Sequence, residues 1–263
     1  MKQLIILIPI YLMVAICKAQ TPVQLAPPLI KYQSVFFKKS ATVELKFAQQ
    51  GTQIYYTLNN RTPTVKDKLY RKPIQIKKSF TTLKAMVAGE QFSTSEIVTA
   101  TFIKDGINVQ SVQQTPANER FPGNGPNTLI DNEGGLPAIG SKTWLGYQQD
   151  SVEINMVMEG KQKLTSVLIN CLQDHGSWIF LPVQIRVYQF DERTQSFQLA
   201  GERMDPINGN IPGASCVPVQ VLLSKKTITN KIKIVLNKIK SLPEWHPGKG
   251  QQGWQFIDEI KLY

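Results

Sequence analysis

The sequence predicts an all-β protein, a small sandwich of short strands followed by a larger jelly roll. Three observations carry this. Helical periodicity is nearly absent. Short apolar runs alternate with clusters of Gly, Pro, Asn and Ser along the chain. Strand count and loop lengths in the C-terminal half suit a jelly-roll sandwich.

The first element is a targeting segment. Met1-Lys2 gives a positive start and Leu4 to Ile16 is an apolar run. Cys17-Lys18-Ala19 then places small residues ahead of a cut before Gln20. Residues 1–19 are thus expected to be a secretory signal peptide, too short for a stable membrane anchor. Cleavage there is favoured over lipidation at Cys17, because Ile16 is bulky where a lipoprotein signal needs a small residue. The expectation is a secreted protein, periplasmic or extracellular, with no transmembrane segment.

The remaining length suits two domains, 20–104 and 105–263. In the first, Val43, Leu45 and Phe47 alternate with Glu44 and Lys46, the pattern of a half-buried strand. Gly51 turns the chain into Ile54-Tyr55-Tyr56-Thr57-Leu58, and Asn59-Asn60 supplies turn chemistry. Ile74 and Ile76 form a further alternation. Leu83 to Val87 and Ile97 to Phe102 complete a sandwich of roughly seven short strands.

In the second domain, Leu129-Ile130-Asp131 is a short anchored piece within a loop-rich opening. Strands flank Gly146 and Asp150. Two strong strands follow, separated by Asp174-His175-Gly176-Ser177-Trp178. Ile232, Ile234 and Leu236 alternate with Lys231 and Lys233, leaving one face wet and basic. Trp254 to Tyr263 forms the closing strand. Trp144 and Trp254 are expected in the core.

Lys and Arg number 30 against 19 Asp and Glu, a net charge of +11. The positive residues look scattered, as in Lys38-Lys39, Lys77-Lys78, Lys225-Lys226, Lys231 and Lys233. A solvated basic surface is favoured over attraction to acidic glycans. No nucleic-acid motif accompanies the charge, so no nucleic-acid partner is expected. Cys171 and Cys216 remain after cleavage, and spacing alone leaves their pairing open.

Two resemblances add to this reading. "IYYTLNNRTPT", "LYRKPIQI", "TLKAMV" and "SEIVTATFIKDG" resemble the chitobiase/β-hexosaminidase C-terminal domain, a fibronectin-like fold. Asn59-Asn60 stands where that family usually has Asp-Gly, and both pairs suit a tight turn. The second domain, with its Trp254–Tyr263 ending, resembles galactose-binding-like, discoidin-related sandwiches. This pair of domains is similar to those closing many secreted Bacteroidetes glycoside hydrolases. The resemblance implies a binding or spacer role, a glycan as partner, and a glycoside hydrolase as a further possible partner.

The residues that could contact sugar are the loop aromatics His175, Trp178, Trp245 and His246, because aromatic rings pack on sugar C–H faces and polar tips bond hydroxyls. The galactose-binding-like resemblance also implies a structural Ca²⁺ held by the Asp131 loop and Glu259, hard oxygen ligands suited to that ion. Asn132 departs from the Gly that usually follows the Asp.

No catalytic constellation is legible. Only His175 and His246 occur as histidines, with no GxSxG or HExxH motif. Asp258 and Glu259 are strand neighbours pointing to opposite faces, so they are not an acid pair for glycoside hydrolysis. The expectation is a non-catalytic carbohydrate-binding or accessory protein. A spacer without sugar specificity, or the detached accessory part of a glycoside hydrolase, is the rival reading.

Overall fold

The alternation at Val43 and Leu45 becomes a strand over Ala41–Lys46, with Ala41, Val43 and Leu45 buried and Thr42 and Lys46 exposed. The computed structural model describes residues 22–205 and 209–263, and the expected signal peptide, with Cys17 and Ala19, lies outside them. No α-helix occurs among the described residues.

Ten strands occupy the first part: β1 (Val23–Gln24), β2 (Leu29–Lys31), β3 (Phe36–Phe37), β4 (Ala41–Lys46), β5 (Gln53–Thr57), β6 (Lys68–Leu69), β7 (Ile74–Ile76), β8 (Phe80–Ala88), β9 (Phe92–Ser93) and β10 (Val98–Lys104). They form a five-stranded sheet, β3-β10-β8-β5-β6, and a three-stranded sheet, β2-β4-β7, while β1 and β9 pair separately. Val43, Leu83 and Phe102, all fully buried, fill the space between. Asn60 takes a φ of 64°, the left-handed conformation a tight turn needs and Asn tolerates.

Seven strands follow in a single sheet system: β11 (Val109–Gln114), β12 (Leu145–Tyr147), β13 (Ser151–Gln173), β14 (Gln184–Asp191), β15 (Ser196–Met204), β16 (Ser215–Asn237) and β17 (Gln255–Leu262). β13 and β16 are 23 residues each and pair from Ser151↔Asn237 to Gln173↔Ser215. Register shifts at Val157/Gln162 and Leu164/Ser166 break the ladder midway. Such bulges bend a strand, so one strand can serve both layers of a sandwich. The Ser151 half of β13 carries β11, and its Gln173 half carries β17. Ile154, Met156, Val167, Ile169, Ile234 and Ile257 pack between the layers.

The fold is all-β, as the sequence predicts. Trp144 is buried as expected. Trp254 precedes β17, is only partly buried, and makes T-shaped contacts with Phe121 and Phe256. Cys171 lies opposite Val217, and Leu172 opposite Cys216. Successive side chains alternate faces, so the two thiols point to opposite sides of the sheet and are both free.

No strand pairing joins β1–β10 to β11–β17 among the described residues. The two parts nevertheless pack. Leu168 and Tyr263 extend the core of the first sandwich. The Tyr263 hydroxyl donates to Lys104 O at 2.7 Å, and Ser34 Oγ to Asn132 O at 2.9 Å. A Cβ at Gly135, where φ is +74°, would meet Val35 Cγ2 at 2.0 Å, so this contact requires glycine.

Candidate functional site

The four aromatic residues singled out in the sequence converge. The chain leaves β13 through Asp174, whose carboxylate accepts from Ser177 Oγ at 2.6 Å and from Ser177 N at 3.3 Å. This cap closes a short 3-10 turn, His175–Ser177. Trp178 follows with φ +66°, an uncommon conformation for a bulky residue and a mark of local constraint. The constraint is visible: Trp178 N donates to His175 O at 3.0 Å, and Trp178 O accepts from Trp254 N at 2.8 Å. The segment is thereby stitched to the start of the closing strand.

Trp245 and His246 come from the 238–254 connection between β16 and β17. This loop is internally bonded, with His246 N to Pro243 O and Lys249 N to His246 O, both at 3.0 Å, and Leu242 N to Gln251 O at 2.8 Å. It docks on the 3-10 turn through His246. His246 Nδ1 accepts from Gly248 N at 3.0 Å, so its proton sits on Nε2, which donates to His175 O at 2.8 Å. The Trp178 indole lies against Gly248, where an added Cβ would come within 2.7 Å of Cζ2.

The rings form one connected cluster. His175 stacks on Phe180 with centroids 4.4 Å apart and 15° between planes. Trp245 lies 5.2 Å from His175 and 5.7 Å from His246, and Trp178 meets His246 edge-on at 5.9 Å. Exposure divides the set. Trp178 and Trp245 are each 38% exposed, whereas His175 is 3% and His246 5%.

The expectation that His175 and His246 touch a ligand therefore needs correcting. Their nitrogens are committed to the protein: His175 Nδ1 accepts from Ile211 N at 3.0 Å, and Gln173 meets its Nε2 at 3.2 Å. Burial lowers the His175 pKa, as expected for an imidazole kept from water, with the Asn210 hydrogen bond opposing. The histidines support and the tryptophans face outward. Phe180, fully buried beneath them, was missed in the sequence because Ile179-Phe180-Leu181 reads as an ordinary apolar strand start.

Asp131 and Glu259 lie near the N-terminal sheets and do not fit a calcium site as arranged. Glu259 is buried. Its Oε2 accepts from Asn132 N at 2.7 Å and its Oε1 from Lys261 Nζ at 3.0 Å. The Lys261 ammonium, 3% exposed, also reaches Asn132 Oδ1 at 2.8 Å and Asp105 Oδ1 at 2.9 Å. Asp131 Oδ1 is taken by Glu133 N at 2.8 Å. Ca²⁺ needs about six to eight oxygens around it, and here a fixed ammonium stands among the oxygens instead. Among the described residues no group of three or more His, Cys, Asp or Glu is placed to hold a metal. Burial pushes the Glu259 pKa up while Lys261 pulls it back. Asp258, on the opposite face, is pushed up to about 7 by burial, although Gly135 N and Asn170 Nδ2 both donate to it at 2.7 Å.

Comparison with known proteins adds the following. Residues 43–102 match the family model described as Fn3 associated, which covers most of the first sandwich. No curated protein matches the chain. Among solved structures, the chain is similar to a GH29 fucosidase of Ruminococcus gnavus in complex with fucose, at 15% identity and a TM-score of 0.36. That likeness covers 58% of this chain and 25% of the fucosidase, so the chain spans about a quarter of that enzyme's length. It is also similar to the C-terminal domain of a Bacteroides fragilis chitobiase, at 16% identity, covering 59% of this chain and 91% of that one, TM-score 0.36. Scores of this size carry no functional argument, and the functional reading rests on the site.

Proposed function

We propose that this chain is a non-catalytic carbohydrate-binding protein that takes a sugar on the exposed indoles of Trp178 and Trp245. The observation that carries this reading is the division of the ring cluster. Two indoles are each 38% exposed, on a base of buried His175, His246 and Phe180 held by hydrogen bonds. Rings fixed before binding lose little entropy when a ligand arrives, and their faces suit the C–H face of a pyranose. Of the two carboxylates beside the indoles in sequence, Asp174 is spent on capping the turn and Glu244 pairs with Lys249 at 3.2 Å. The reading includes export, with the mature protein starting at Gln20, which N-terminal sequencing of the exported protein tests.

The experiment is a glycan array followed by calorimetric titration of the best hit. A lone shallow site of this kind is expected to bind with a Kd of about 0.1–1 mM. Trp245→Ala should abolish that binding while the melting temperature falls only modestly, since the indole is partly outside the core. A large loss of stability with no ligand anywhere on the array would leave the spacer reading in its place.

A further inference from the structure

The net charge of the protein is not spread over it. Residues 22–104 hold thirteen Lys and Arg against four Asp and Glu, a balance of +9. Residues 105–263 hold fifteen of each and balance to zero. Lys2 and Lys18 carry the other two positive charges, and the rest of the excess belongs to the smaller sandwich. Within it, only Lys46 and Arg61 have a carboxylate in ion-pair range among the described residues, Glu44 and Asp67.

Four of the thirteen, Arg61, Lys68, Lys77 and Lys78, line one opening. β6 is the edge strand of the five-stranded sheet and β7 the edge strand of the three-stranded sheet. Lys68 and Gln75 of these edges line a groove of about 430 Å³, together with Tyr56, Arg61, Lys77 and Lys78. Its one acid, Asp67, is already engaged. Arg61 pairs with Asp67 Oδ1, and Thr64 N and Oγ1 both donate to Oδ2 at 2.8 Å. These bonds, those from Thr64 first, hold its carboxyl below the usual range, so it stays ionised and occupied. Lys68, Lys77 and Lys78 have no ion-pair partner among the described residues. Lysine on an edge strand discourages sheet-to-sheet association. That role calls for a charge at the edge, and a balance of +9 over the whole sandwich goes well beyond it.

We propose that this groove is a second binding site, one for an acidic polysaccharide bearing carboxylate or sulfate groups. Ammonium groups on flexible stems supply point charges that follow anions spaced along a chain. Asn59 offers a carboxamide donor and Tyr56 a ring at the same groove, while the Gln75 carboxamide already donates to Thr42 Oγ1 at 2.9 Å. A cleft lined by one sign of charge raises the local concentration of an anionic ligand and speeds its encounter. The site is separate from the indole patch and does not depend on it.

The test uses the full chain and four probes: oligogalacturonate, its methyl ester with the same backbone and no charge, chondroitin sulfate, and duplex DNA. Oligogalacturonate or chondroitin sulfate should bind at low salt and weaken as salt screens the contacts, and the one that binds names the acid. Lys77→Glu/Lys78→Glu should weaken that binding at least about tenfold with an unchanged melting temperature. Lys77→Gln/Lys78→Gln should give a smaller loss in the same direction if the reversed charges disturb folding. Trp178→Ala/Trp245→Ala should leave it unchanged, which separates this site from the other. The proposal is overturned if neither acidic glycan binds, if the methyl ester binds equally well, if the lysine variants bind as the parent does, or if DNA binds as tightly as the acidic glycan.

Discussion

Lys261 shows how one side chain can bear on a question that family likeness raises. Its ammonium is buried among Glu259, Asp105 and the Asn132 carboxamide, and lies 5.6 Å from the centre of the Phe36 ring. Lys261→Met would leave Glu259 buried without its cation, and such losses run to about 3–5 kcal/mol. Denaturant unfolding should show a drop of that order, with partial recovery in Lys261→Met/Glu259→Gln. Because the cation is covalently supplied, melts in Ca²⁺ and in EDTA should superpose; a clear shift between them would restore the metal. His175 makes a second residue-scale case, through acid. Its folded pKa lies below the usual value of about 6.5, so the unfolded chain takes up the proton first. Stability from this group is therefore present above the unfolded pKa and lost as pH falls through the window beneath it. From about pH 7 to about pH 5 the parent should lose more melting temperature than His175→Gln, and parallel profiles would refute the assignment.

At the scale of elements, the 238–254 connection is the part whose role depends on shape. It has no strand of its own, yet it places Trp245 and carries the glycine on which Trp178 rests. Gly248→Ala would put a methyl group 2.7 Å from the Trp178 ring, so the indole must move. Glycan binding should fall by more than stability does, which parallel titration and melting of this variant would measure. Sequence reached this far and no further. Period-2 alternation disclosed β4 and β7, because there one face meets the core and the other meets water. The Trp and His residues stood out by type alone. Their sorting into exposed indoles and buried imidazoles was not legible, because burial of His175 depends on Ile211 and Phe180, brought beside it only by folding. The length of β13 and β16 was hidden for a related reason. Bulges carry no sequence period, so each 23-residue strand read as shorter pieces.

At the scale of the whole molecule, averaging over the chain hid the charge. A sum over the chain reads as scattered lysines, while a sum over each set of sheets leaves the entire excess on one side. The contacts between those two sets of sheets decide what each is expected to do alone. Each has its own core, and no strand pairing crosses between them. A compact unit with its own core should fold alone, so fragments 22–104 and 105–263 are each expected to melt cooperatively. They should not be equally content apart. The smaller fragment loses the cover of Leu168 and Tyr263 over its core, and exposes apolar surface that the full chain keeps dry. The larger fragment keeps Lys261, Glu259, Asn132 and Asp105 together, losing chiefly Val35 and Phe36 from that border. Fragment 22–104 should accordingly melt well below the full chain, and fragment 105–263 only slightly below it. Mixing the two should raise the melting temperature of the smaller, since a partner that binds only the folded form stabilises it by mass action. If neither fragment melts cooperatively, the division at Lys104–Asp105 is wrong, and the two sandwiches are a single folding unit.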